Sequence, residues 1–261
     1  MTPPGASPKR PQTSPAPPPA PRASGALVIS PALTLDVRRA AWLPQERTLV
    51  IADTHLGYAW TQRLRGQLLP LGDEDTAARV AALLIDYPAS RVVILGDVVH
   101  SAVVAEKLAP PLRDLCERVV TNERELVLVL GNHDRGLAEC LRAWRLPART
   151  MSAVALPGFH LVHGDLPLTD VADDATVLSG HEHPSLQLDD GVATRAKVPA
   201  FLLAPRAVLL PAFSAWAAGT VARAGGFQGP VAHGFDYRES VACLGSRVLR
   251  LPFPLRRRID P

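Results

Sequence analysis

Five apolar runs in this chain each end in a small group of acidic, amide or imidazole side chains, and that repetition constrains the fold more than any other feature. LVIADTH delivers Asp53 and His55, VVILGD delivers Asp97, and LVLVLGNHD delivers Asn132, His133 and Asp134. LVHGD delivers His163, and TVLSGHEH delivers His181 and His183. Short apolar runs bounded by glycine and polar residues read as buried strands, here over 47–52, 91–95, 125–130, 159–162 and 175–178. In an open α/β sheet the loops at the carboxyl ends of the strands line the ligand crevice. Five such ends can therefore meet in one place.

The intervening sequence supports an α/β class. Ala77, Ala78, Ala81, Leu84 and Ile85 recur at helical spacing over 74–86, stopping before Pro88. A second helix is predicted over 111–119, with Pro110 and Pro111 near its start. Strands are expected at 26–29 and 33–37. Beyond about residue 150 the segments shorten (151–156, 186–188, 200–203, 207–210, 247–251), which predicts a second, more antiparallel sheet. Residues 1–24 are Pro-rich with almost no large apolar side chain, so a disordered tail is expected there and a single domain over 25–261. The 47% apolar content supplies a substantial core. The most apolar stretch, 207–222, is broken by Pro211, Ser214 and Gly219, so no membrane span is expected. No signal peptide is evident, and Cys116, Cys140 and Cys243 lack any zinc or redox spacing, which together suggest a cytoplasmic protein. A net charge of +3 is compatible with an anionic substrate.

The residue types at the strand ends define a chemistry. Carboxylate, imidazole and amide donors without cysteine suit Mn, Zn or Fe(II). Residues at i and i+2 share one side of a strand, so Asp53 with His55, and His181 with His183, can each direct two donors inward. Seven candidates (Asp53, His55, Asp97, Asn132, His163, His181, His183) exceed one tetrahedral site. They fit two ions about 3.5–4 Å apart that share a carboxylate. Gly96, Gly131 and Gly180 allow sharp turns where a Cβ would obstruct the site. Glu182, between two candidate ligands, should face away.

Taken in order, D-x-H (53–55), G-D-x-x-H (96–100), G-N-H-D (131–134), H-G (163–164) and G-H-x-H (180–183) resemble the calcineurin-like metallophosphoesterases. ADTHLG, LGDVVHS, GNHDR, HGD and GHEHP, followed by KVPAFLL and VLLPAFS, resemble the ligase-associated DNA damage response endonuclease branch, related to the Mre11/SbcD nucleases. The resemblance implies a four-layer αββα sandwich. It implies that Asp53, His55 and His183 hold one ion, that Asn132, His163 and His181 hold the other, and that Asp97 bridges. It further implies that His133 sits over the scissile phosphate and that Asp134 orients it, while water acidified by the ions attacks.

The function expected is a phosphodiesterase using two divalent ions, Mn²⁺ foremost with Zn²⁺ or Fe²⁺ as alternatives, acting as a DNA nuclease in repair beside DNA ligase and helicase proteins. A phosphodiesterase or phosphatase for a nucleotide or another small phosphoester is the first alternative. A non-catalytic DNA-repair scaffold is the second, against which the intact GNHD stands. Arg63, Arg65 and Arg135 flank the ligand loops and can clamp phosphates; Arg63 and Arg65 read equally well as a solvated loop. His100 is read either as a support for its neighbours or as substrate-facing.

Overall fold

The protein is described by a computed structural model covering residues 25–70, 73–101, 105–189, 195–217, 219–223 and 225–254. The Pro-rich segment 1–24 and the arginines at 256–258 lie outside these residues. The first sheet runs in chain order: β1 (Ala26–Ser30), β2 (Leu33–Asp36), β3 (Ala40–Leu43), β4 (Thr48–Ala52), β5 (Arg91–Leu95), β6 (Glu125–Val129) and β7 (Ala148–Met151). Its first four strands pair antiparallel and β4 to β7 pair parallel. The parallel pairing explains the continuous apolar runs of β4, β5 and β6, because both faces of those strands are buried. In β4, Leu49 and Ile51 join a core against the helices, whereas Val50 and Ala52 join a core between the sheets.

The helix-side core is closed by α2 (Asp73–Asp86) and α3 (Ala105–Val119), with α4 (Leu137–Ala143) beside them. In α3, Leu108, Leu112, Leu115 and Val119 form one buried stripe. That helix starts earlier than its prolines suggest. Pro110 and Pro111 lie inside it, where they cannot donate to the carbonyls of Glu106 and Lys107. Both of those residues are exposed, so water can take the place of the missing donors.

The chain changes sheets within the run expected to be one strand over 151–156. The structure ends β7 at Met151 and starts β8 (Ala153–Leu156) in the second sheet. That sheet continues with β9 (Phe159–Val162), β10 (Thr176–Ser179), β11 (Pro184–Asp189), β12 (Arg195–Ala204), β13 (Ala207–Leu209) and β14 (Thr220–Val221), then β15 (Glu239–Leu244) and β16 (Arg247–Pro252). It is more antiparallel than the first, with β10 parallel to β9 and to β13. Strands β3, β14 and β15 are additions to the expected set: AAWL is alanine-rich, β14 spans only two residues and ESVACL alternates only briefly. Two sheets packed face to face with outer helices make the expected four-layer arrangement. Its fourth layer is thin, built on Val231 and Ala232 of α5 (Pro230–His233) with Tyr237 and Phe253. Among the described residues no helix is long and apolar enough to cross a membrane.

A buried polar cluster anchors β2 to the end of α2. Asp36, 1% exposed, accepts from Arg38 Nη2 at 2.7 Å and from the Tyr87 hydroxyl at 2.7 Å. Burial works to raise its carboxyl, but the hydrogen bonds from Arg38 and Tyr87 prevail and hold it below the ordinary carboxylate range. A depressed carboxyl stabilises the fold above its unfolded pKa of about 3.9 and loses that contribution as pH falls further. Asp36→Asn is expected to cost roughly 2 kcal/mol in denaturant unfolding at pH 7. The difference from wild type should shrink below about pH 4; an equal loss at both pH values would contradict it.

Candidate metal centre

All five clusters come together where the ends of β4, β5 and β6 meet the ends of β9 and β10. The side chains are not presented by pleat alternation, as i, i+2 spacing on a strand would have it. β4 stops at Ala52 and β10 at Ser179, and the donors follow in tight left-handed turns. Asp53, His55, Asp97, His181 and His183 all have positive φ, between 46° and 71°. Such conformations cost non-glycine residues free energy and persist only where the surroundings over-determine them. Here they do: Asp53 N donates to Gly96 O at 3.2 Å, His55 N to Asp97 O at 2.8 Å, and Leu56 N to Val98 O at 2.9 Å.

The donors divide into two groups sharing one carboxylate. Asp53, His55, Asp97 and His183 bring ligand atoms within 4.8 Å of one another, and so do Asp97, His163 and His181. His55 Nε2 and His183 Nε2 lie 3.1 Å apart, as do His163 Nε2 and His181 Nδ1. Two nitrogens each about 2.0–2.1 Å from one ion are separated by about 3 Å, so both pairs have ligand spacing. Asn132 Oδ1 lies 3.1 Å from His163 Nε2, joining the second group. The His163 tautomer is set by the fold: Nδ1 donates to the carbonyl of Leu95 at 3.0 Å, leaving the Nε2 lone pair for the centre.

Electrostatics agree with a cation site. Burial pushes His55 down to about 3, which keeps it neutral and able to ligate. Burial lowers His181 as well. Burial opposes charge on Asp53, yet the hydrogen bond with His183 and the surrounding imidazoles hold its carboxyl low. The Asp97 carboxyl is pushed up, by burial first, with the Asp53 charge adding to it. Divalent ions would relieve this concentration of buried donors and negative charge. The residues present therefore fit a binuclear centre.

The glycines have a closer task than leaving room for substrate. A Cβ on Gly180 would lie 2.5 Å from Asp53 Oδ2, and one on Gly131 would lie 2.6 Å from Asp97 Oδ1. Each would displace a donor. Gly180→Ala is expected to lower metal affinity roughly 10–100-fold, the scale of a disturbed ligand support, with the fold retained. Calorimetric metal titration checks this, and unchanged affinity would show that Asp53 can shift freely.

Beside the two groups lies a third, His55, His100 and His133. The His133 ring stacks on His100 at 5.3 Å and 18°. His133 Nδ1 donates to the carbonyl of His100 at 2.8 Å, which points Nε2 toward the centre, 3.9 Å from Asp97 Oδ2. His133 is therefore oriented by His100 and not by Asp134. The Asp134 carboxylate accepts from Val99 N at 3.0 Å and Gly131 N at 2.9 Å, bracing the loop, and burial pushes it up to about 6. The His100 ring meets Tyr58 at 4.7 Å, and burial holds it down to about 4.

The arginines separate. Arg63, on α1 (Tyr58–Leu64), donates to Leu69 O at 3.1 Å and packs 5.2 Å from the Trp60 ring centre, so its guanidinium is engaged locally. Arg65 and Arg135 are exposed beside the loops, and the charge of Arg65 is felt by His100. Glu182 faces away as expected, accepting from Gln228 N and Gly229 N.

Two residues escaped the sequence reading. Arg39 Nη1 donates to Ala212 O and Ser214 O, and Arg79 Nη1 donates to Phe213 O at 2.7 Å. The clamped segment in turn donates Phe213 N to Ala52 O and Ser214 N to Asp53 O. This props Asp53 from behind. No local signal marks either arginine, since each acts through a segment far along the chain.

This fold and donor arrangement define a metallophosphoesterase. The family model for calcineurin-like phosphoesterases matches residues 46–200, and the chain belongs to that family. Among solved structures, the nuclease MPE of Pseudomonas putida is similar over 84% of this chain and 94% of its own, at 27% identity and a TM-score of 0.63. Comparison with curated protein sequences gives no match.

Proposed function

We propose that this phosphoester hydrolase is a two-metal phosphodiesterase that cleaves DNA, acting in the cytoplasm in DNA repair beside ligase and helicase proteins. The observation that carries it is Asp97, common to two ligand-spaced donor groups, with the half-exposed His133 directed at the same point. The nuclease neighbour supports a nucleic-acid substrate. In this reading Asp53, His55 and His183 hold one ion, and Asn132, His163 and His181 the other. Bound divalent ions supply Lewis-acid charge and an acidified water; oxygen and imidazole donors without sulfur suit Mn²⁺, with Zn²⁺ or Fe²⁺ as alternatives.

The protein's own groups do the rest. The carbonyl of Leu95 fixes the His163 tautomer, that of His100 orients the His133 ring, and Asp134 holds the GNHD loop against the segment after β5. Protonated on both nitrogens, with Nδ1–H on the His100 carbonyl, the His133 imidazolium donates Nε2–H to the phosphoryl or leaving oxygen. Arg65 and Arg135 meet neighbouring phosphates.

The test is a Mn²⁺-loaded panel of linear, circular and single-stranded DNA, RNA, and mono- and diester reporters. DNA cleavage is expected, falling roughly tenfold between about 50 and 200 mM salt for two or three phosphate contacts. Efficient hydrolysis of a nucleotide or monoester with every DNA form intact would replace the nuclease by a small-molecule phosphoesterase.

A further inference from the structure

The catalytic loop 131–136 leads into a cleft that none of the assigned residues uses. Its two walls both start at that loop. α4 begins as Leu137 N donates to Asp134 O at 3.0 Å, and β7 ends with Met151 O accepting from Leu130 N at 2.9 Å. Between them is a cleft of about 250 Å³. Leu141 and Leu146, both buried, make its floor, and Arg142 and Arg145, both exposed, stand at its rim. Ala148 and Thr150 of β7 line it, whereas Arg149 between them points to the other face and pairs with Glu125 at 3.0 Å.

The chemistry of the cleft selects its occupant. Arg145 has no carboxylate partner among the described residues, and Arg142 has only the exposed Glu139 at 3.2 Å. Exposed pairs of that kind are weak, so both guanidiniums are available to an anion. The floor is apolar, which a free phosphate would not need. The volume falls below the roughly 300–1,000 Å³ of ordinary small-molecule pockets, so it suits one unit of a longer chain better than a whole cofactor. From Leu137 to Ala143 the helix rise gives a path of about 9 Å leading away from Arg135 and His133, and Arg145 follows at its end.

We propose that the α4–β7 cleft binds the nucleic-acid strand next to the bond being cut, one base against Leu141 and Leu146 and its flanking phosphates on Arg142 and Arg145. This rests on the nuclease reading. A base in a duplex keeps its faces stacked, so the strand in the cleft is unpaired.

The test compares wild type with the double variant Arg142→Ser, Arg145→Ser, full chain, with Mn²⁺. Both positions are exposed, so the fold is kept. For single-stranded DNA long enough to reach the cleft, KM should rise at least tenfold and the slope of log KM against log salt should fall by about 1 to 1.5, the loss of two single-strand phosphate contacts. Bis-p-nitrophenyl phosphate, too short to reach the rim, should be hydrolysed within about twofold of wild type. Unchanged KM and salt slope on DNA, with cleavage intact, would overturn the cleft as a strand site, leave the nuclease standing and point to a polypeptide at the β7 edge. A wild type that neither cleaves nor binds any DNA would overturn both.

Discussion

Asp97→Asn is expected to leave a folded protein that retains neither ion tightly and loses at least about 10³ in turnover. Asp97 Oδ1 lies 3.3 Å from His163 Nε2, and Oδ2 lies 3.8 Å from His55 Nε2. It is the one carboxylate common to both donor groups. An amide in its place removes a negative charge from both positions at once, and a two-metal site supplies several kcal/mol of transition-state charge stabilisation, at 1.36 kcal/mol per tenfold. The same change should behave oppositely without metal. Burial pushes the Asp97 carboxyl up, and a carboxyl raised in the folded state costs stability once pH exceeds its unfolded pKa. At pH 7 the metal-free variant should therefore melt no lower than metal-free wild type, while manganese should raise the melting temperature of wild type alone. Near-normal activity with two ions per chain would rule out the shared role.

Much of this centre was legible before any geometry was known. Strand tips carrying Asp53, Asp97, Asn132, His163 and His181 pointed to a single crevice because parallel strands present their carboxyl ends together. The reason for the positioning was not legible. Left-handed turns at Asp53, His55 and Asp97 replace strand alternation, and they depend on hydrogen bonds between the β4 and β5 loops. Pairings of that kind join residues some forty positions apart and leave no local pattern. The same holds for Arg39 and Arg79, which support Asp53 through residues 212–214. Asp134 illustrates a different limit: its adjacency to His133 suggested an orienting carboxylate, but the ring turns to the His100 carbonyl and Asp134 turns to backbone amides. Individual elements depart from expectation where composition is ambiguous, in the alanine-rich β3 and the proline-containing α3.

His133→Ala is expected to keep both ions and lose turnover by roughly 10²–10⁴, the range for a positioned proton donor. With Nδ1 committed to the His100 carbonyl, only Nε2 faces the centre, and the side chain is 37% exposed, open to a substrate. Two roles for that nitrogen predict different leaving-group dependence. If the Nε2–H of a His133 imidazolium protonates the departing oxygen, p-nitrophenolate, a good leaving group, needs little help, and the variant should lose far less on bis-p-nitrophenyl phosphate than on DNA. If it stabilises charge on the phosphoryl oxygens, both substrates should lose equally. The third donor group, His55, His100 and His133, makes a further outcome meaningful. Should elemental analysis of folded His133→Ala show an ion lost, His133 would be a ligand in that group, and neither role would account for its contribution to the rate.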